Sequence, residues 1–234
     1  RMIEALVRAH GLRTGLFTSP HLDRFTERIL VDGEPIHDAA VADAWDEIDP
    51  FVGMIDAELV AEGEDPLTFF ELLTVLAFVA FADAPVDVAV VEVGMGGSWD
   101  STNTADGDVA VLTPVGMDHA DRLGETPAEI ATVKAGIVKD GALVVSARQD
   151  PEVEAVIRAA AIARGARVAF EGREFALTEA RLAVGGQQLT VQGLAGRYEG
   201  AYLPVYGSHQ GRNAALAIAA VEMLLGAGGR AIAE

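Results

Sequence analysis

Short apolar runs rich in β-branched residues alternate along this chain with helical segments, and that alternation restricts the fold more than any other feature. Residues 86–93, 109–113, 142–146 and 166–170 read as buried strands. Residues 68–82, 126 to about 139, and 152–164 carry helical patterning. A further short strand is expected at 14–18, and 38–61 reads as a helix interrupted at Pro50. Strands alternating with helices predict an α/β fold: a mostly parallel open sheet flanked by helices. From 174 to 206 the pattern changes to short alternating segments such as 189–192, separated by glycines, which predicts a small antiparallel β region. A helix over 209–225 follows.

Two helix starts are written in local chemistry. Thr68 and Glu71 fit the T-x-x-E capping box, in which each side chain satisfies a first-turn amide. Thr126, Pro127 and Glu129 supply an N-cap, a first-turn proline and a second such box. The opening residues 1–10 read as the end of a helix with no start signal, so the natural protein is expected to extend upstream.

Charge decides which partners are excluded. The chain carries 17 basic and 36 acidic residues, a formal net charge of −19. Such a surface repels nucleic acid and anionic membrane, so a polyanionic substrate must be met by a metal ion or by local backbone amides. The absence of cysteine excludes disulfides, thiolate catalysis and zinc–sulfur sites. The longest apolar run, 72–82, is too short to span a bilayer, and a cytoplasmic protein is expected.

In open α/β sheets, ligands gather beyond the carboxyl ends of the strands. Three polar clusters fall at such ends: Ser19-Pro20-His21, the stretch from Glu92 to Asn103, and Asp118-His119. Glu92 lies inside a run of β-branched residues, where an unpaired carboxylate is costly to bury. It reads either as a salt-bridged structural acid or as a ligand for a hard cation such as Mg²⁺, and its place at a strand end favours the cation. The turn Gly94-Met95-Gly96-Gly97 does not continue as a dinucleotide fingerprint, because Trp99 occupies the third glycine position. G-x-x-x-x-G-K-[ST] does not occur in the chain. On spacing alone, His119 reads as a loop histidine and Lys134 as a helix lysine, and the chain as a nucleotide- or anion-binding α/β domain.

The combination of motifs goes further. Val91-Glu92-Val93-Gly94-Met95-Gly96-Gly97, Asp100-Ser101-Thr102-Asn103, Asp118-His119 and Lys134-Ala135-Gly136-Ile137 resemble the folylpolyglutamate synthase/dihydrofolate synthase family of the Mur ligase superfamily. Thr18-Ser19-Pro20-His21-Leu22, Thr68-Phe69-Phe70-Glu71 and His209-Gln210-Gly211-Arg212-Asn213 match it in the same order, so the resemblance covers essentially the whole chain. It implies that 1–234 is a central ATP-binding domain, P-loop-NTPase-like in fold and incomplete at both ends. The phosphate loop is expected upstream of Arg1, and a small Rossmann-like domain after Glu234.

The resemblance implies an ATP-dependent ligase that joins L-glutamate to dihydropteroate or a reduced folate through an acyl phosphate, using ATP and two Mg²⁺ ions. Ser19 and Glu92 are expected on the first Mg²⁺, His119 on the second, and Lys134 as a carbamylated lysine. Thr68, Phe69, Phe70, Glu71, Trp99, Asp100 and Ser101 match substrate contacts, and Asn213 an ATP contact. A monomer is the family habit. Three positions depart from the family pattern: Ser98 for a frequent arginine, Val133 for a usual glutamate, and Ser208 for a common acid. The alternatives are a peptidoglycan-precursor ligase with different substrate loops, or a homologue that keeps the fold without turnover.

Overall fold

A glycine pressed against a phenylalanine ring shows how the first part of the chain assembles. A Cβ placed on Gly15 would stand 2.8 Å from the Phe81 ring, so glycine is what lets a helix lie directly on a strand here. The computed structural model describes residues 1–226, and the remainder of the 1–234 domain reading lies outside the described residues. The chain divides into two units, Ile3–Met95 with Asp100–Thr104, and Gly96–Trp99 with Ala105 onward.

The first unit contains α1 (Met2–Ala9), β1 (Thr14–Phe17), β2 (Ile29–Val31), β3 (Glu34–Pro35), α2 (Asp38–Glu62), α3 (Phe69–Asp83) and β4 (Val88–Val91). Its strands run in the order β3-β2-β1-β4, with β4 parallel to β1 and β2 antiparallel to it. Phe17, Ile29, Leu73, Ala77 and Phe81 form the buried centre between sheet and helices. The capping box expected at Thr68 and Glu71 is formed, and α3 starts where it dictates.

Two expectations for this unit need correction, and one hairpin was not foreseen. The helix at 38–61 is not interrupted: α2 runs through Pro50. A proline removes one ladder hydrogen bond, and with Pro50 and Asp46 both exposed, solvent can serve the freed carbonyl. The strand at 86–93 shrinks to Val88–Val91 and is not fully buried, since among the described residues it is paired only with β1. The hairpin β2–β3 went unread; its Asp32-Gly33 turn has φ of 51° and 83°, the left-handed pair that a tight hairpin requires.

The second unit holds β5 (Val109–Leu112), α4 (Ala120–Leu123), α5 (Pro127–Lys134), β6 (Leu143–Ser146), α6 (Pro151–Ala163), β7 (Arg167–Phe170), β8 (Ala176–Ala183), β9 (Gly186–Gln192), β10 (Arg197–Leu203) and α7 (Ser208–Gly226). β5, β6 and β7 form a parallel sheet in chain order, and β8, β9 and β10 form the expected antiparallel one. Val144, Val145, Ile157 and Phe170 are buried in its core. Residues 214–223 of α7 are buried on every side, because the helix packs against strands of both sheets. α5 stops at Lys134 and tightens into a 3₁₀ turn over Ala135–Ile137, short of the expected end near 139. The α/β class with flanking helices holds, but parallel pairing is divided between two sheets among the described residues. None of the described helices is long and apolar enough to cross a membrane.

Candidate functional site

Because β1 and β4 are parallel neighbours, their carboxyl ends open onto the same edge, with Phe17 registered on Val91. The two residues just past those ends meet there: the Ser19 N–H donates to a Glu92 carboxylate oxygen at 2.9 Å. Glu92 is exposed rather than buried, one residue beyond β4, so the cost of burial is not what constrains it. Its carboxylate is open to a ligand, with the Ser19 backbone against it. The neighbouring Thr18 Oγ1 is buried without a hydrogen-bond partner. These are hard oxygen donors, and they fit Mg²⁺. Among the described residues no three His, Asp or Glu side chains converge, so a cation here must complete its shell with phosphate oxygens or water.

The expected substrate segment surrounds the start of α3. Glu71 Oε2 accepts from the Thr68 N–H and the Thr68 hydroxyl, both at 2.7 Å, so its carboxylate is engaged in the capping box. Phe69 is left 58% exposed in the same turn, a large apolar face without cover. Phe70 lies over Gly94, where a Cβ would sit 2.4 Å from its ring, which gives that glycine a steric reason. Asp100 is buried; it accepts from the Met95 N–H at 2.8 Å and the Thr102 N–H at 3.0 Å, closing the loop on itself. The Ser101 and Thr74 hydroxyls are 2.9 Å apart, tying that loop to α3.

In the second unit, the glycine turn docks on the end of α5. A Cβ on Gly97 would meet the Val133 carbonyl oxygen at 2.6 Å and the Lys134 carbonyl oxygen at 2.9 Å. The Ser98 N–H donates to the Val133 carbonyl at 3.1 Å, and a Cβ on Gly136 would fall 2.4 Å from the Ser98 Cβ. These glycines therefore serve close backbone packing around a half-buried Lys134. Ser98 and Val133, two of the expected departures from the resembled family's pattern, are direct neighbours here. Trp99 stays 56% exposed.

His119 has the left-handed φ of 48° at the start of α4, with Nε2 3.7 Å from Asp118 Oδ1 and both side chains open to solvent. Asn213, in the first turns of α7, donates from Nδ2 to Gln210 Oε1 at 3.3 Å. The residue before it, Arg212, makes a two-pronged ion pair with Glu171, 2.8 Å at each contact. Burial pushes the Glu171 carboxyl up, but the Arg212 guanidinium and the Arg148 N–H outweigh it and hold it below the usual carboxylate range. Arg148, Glu171 and Arg212 line a cleft of about 270 Å³. Sequence reasoning missed Glu171 and Arg148, since nothing local marks them. Their place just past β7 and β6, at strand carboxyl ends, was the one available signal.

Residues 39–221 match the model of the Mur ligase middle domain. The chain is 50% identical over 237 residues to the dihydrofolate synthase/folylpolyglutamate synthase of Mycobacterium tuberculosis, covering 97% of this chain and 49% of that protein. The structure of the M. tuberculosis folylpolyglutamate synthase complexed with ADP and AMPPCP superposes with a TM-score of 0.91 at 47% identity, covering 100% of this chain and 55% of that one. An FPGS–AMPPCP–folate complex gives the same TM-score of 0.91 at 37% identity, covering 99% of this chain and 56% of the other. The chain thus spans about half the length of the curated relatives it matches. A parallel strand pair with Glu92 and Ser19 meeting past its carboxyl ends, a glycine turn seated on Lys134, and a family match over most of the length leave one assignment: the chain belongs to the Mur ligase middle-domain family.

Proposed function

We propose that this chain is the nucleotide-handling and pterin-facing part of an ATP-dependent ligase that joins L-glutamate to a dihydropteroate or reduced-folate carboxylate. The observation that carries the reading is the meeting of Ser19 and Glu92 at the shared edge of β1 and β4, within a chain whose relatives were solved with ADP, AMPPCP and folate. In this reading the substrate carboxylate attacks the γ-phosphorus of ATP, ADP leaves, and the amine of L-glutamate displaces phosphate from the acyl phosphate. The work of the protein is positioning and charge neutralisation, since phosphoryl transfer asks for little else. Ser19 and Glu92 hold one Mg²⁺, and His119 serves a second. Bound Mg²⁺ supplies positive charge to the phosphate oxygens, which an acidic chain cannot offer by itself. Asn213 meets the nucleotide. Phe69 and Phe70 offer aromatic faces to the pterin, while Thr68, Glu71, Asp100 and Ser101 shape the loops that carry them.

A substrate panel tests the reading. Dihydropteroate and tetrahydrofolate are each supplied with ATP, Mg²⁺ and L-glutamate, and ADP release is followed. A version extended to the length of the relatives is expected to release ADP only when glutamate and a pterin substrate are both present. The 234-residue chain alone is expected to release none, because it contains no G-x-x-x-x-G-K-[ST] loop to wrap phosphates with backbone amides. Glutamate-independent ADP release, or equal turnover by the bare chain, counts against the proposal.

Lys134 carries a separate expectation, that of a carbamylated amine giving a carboxylate at neutral pH. Crystals grown with bicarbonate should show branched density beyond Nζ. A plain lysine under those conditions would remove Lys134 from the reaction.

A further inference from the structure

Ion pairing with a nearby acid is the habit of arginine in this chain: Arg8 with Glu4, Arg24 with Asp38, Arg158 with Glu154 and Arg212 with Glu171. Arg28 stands apart. Among the described residues it makes no ion pair; its Nε donates to His21 Nδ1 at 2.8 Å, and its guanidinium carbon sits 5.5 Å from the centroid of the Phe69 ring. The adjacent acid, Glu27, is turned away to the loop, accepting from the N–H groups of Leu22, Asp23 and Arg24 at 2.9, 3.2 and 3.0 Å. Those amides, Arg24 foremost and then Leu22, hold the Glu27 carboxyl below its usual range, so it is committed where it stands.

The outcome is a half-buried arginine that pairs with no acid among the described residues, in a chain of net charge −19, one edge of its fork held by a histidine and the cation drawn to an aromatic ring that is itself 58% exposed. A fork oriented in this way, with its terminal N–H groups unspent, matches a planar carboxylate. Phe69 beside it matches an aromatic ligand body.

Resting on the ligase reading above, we propose that Arg28 is a specificity-determining residue that receives a carboxylate of the substrate which does not react. The reacting carboxylate must keep an oxygen free to attack phosphorus, and a two-pronged arginine contact would occupy both. Dihydropteroate carries only the reacting carboxylate. A folate carries an additional, idle α-carboxylate on its glutamate. Arg28 therefore selects for folates already bearing glutamate, and His21 and Phe69 hold its fork in place.

The test compares pteroate and folate, which differ by that glutamate, as equilibrium ligands of the full-length protein. In the Arg28→Gln variant, folate is expected to bind about tenfold or more weakly, while pteroate stays within about twofold of the unsubstituted protein. Retained pteroate binding shows at once that the variant is folded. Arg28→Lys, which keeps the charge and loses the fork, is expected to recover only part of the folate affinity. In turnover, KM for tetrahydrofolate rises with kcat little changed, and KM for dihydropteroate does not move. Equal weakening of both ligands, or of neither, overturns the role of Arg28 and leaves the ligase reading standing. If the unsubstituted protein binds neither ligand, both readings fall.

Discussion

Replacing Glu92 with glutamine is expected to lower glutamate-dependent ADP release by about a hundred- to a thousand-fold, the scale of losing one group that stabilises transition-state charge. The fold should be untouched. Glu92 is exposed, its side chain accepts one hydrogen bond among the described residues, from the Ser19 N–H, and a glutamine carbonyl can accept that bond equally well. What glutamine removes is the negative charge, which a hard cation needs and an N–H donor does not. A thermal melt within about a degree of the parent, together with the rate loss, would separate the chemical role from a structural one. The defect should ease only partly as Mg²⁺ is raised, because positioning as well as affinity is lost. His119→Ala, also at a solvent-open residue, is expected to behave in the same way. Near-normal turnover of both variants at saturating Mg²⁺ would remove these residues from the reaction.

The largest stability effect is expected at Glu222, a residue that the chemistry does not use. It is 0% exposed in the middle of α7, yet its carboxylate is fully occupied: it accepts from the N–H groups of Leu194, Ala195 and Gly196 and from the Tyr198 hydroxyl. Gly193 leaves it room, since a Cβ there would fall 2.6 Å from its oxygens. The carboxylate thus bolts the turn between β9 and β10 to the central helix. Glu222→Ala strands several donors at once, each costing about 1–3 kcal/mol when left unsatisfied. We expect a loss on the order of 3 kcal/mol, or about 6–12 °C in melting temperature for a chain of this size. Glu222→Gln should recover little, because its amide presents donors to donors. A change below about 1 kcal/mol in both variants would show that the turn finds other partners.

The difference between these two glutamates marks the limit of what could be read in advance. Glu92 announced itself by position at the end of an apolar strand and before a glycine turn. Glu222 sits in an alanine- and leucine-rich helix, and its partners lie 24 to 28 residues away in sequence. The pairing of Arg212 with Glu171, separated by 41 residues, was invisible for the same reason. Arg28 was passed over with the β2–β3 hairpin that begins one residue later, although Asp32-Gly33 is itself a legible turn signal.

By itself the sequence determined whatever depends on neighbours along the chain. The capping boxes at Thr68 and Thr126 and the strand and helix character of most segments follow from local propensity and periodicity, because those signals span only a few residues. Only the tertiary structure decided what each polar group is free to do. It spent Glu71 on a helix cap and Asp100 on its own loop, left Glu92 open beside Ser19, and gave Arg28 no ion pair among the described residues. A carboxylate or a guanidinium has the same chemistry wherever it occurs. Its function is set by which donors, acceptors and charges the fold has already brought against it, and those come from distant parts of the chain.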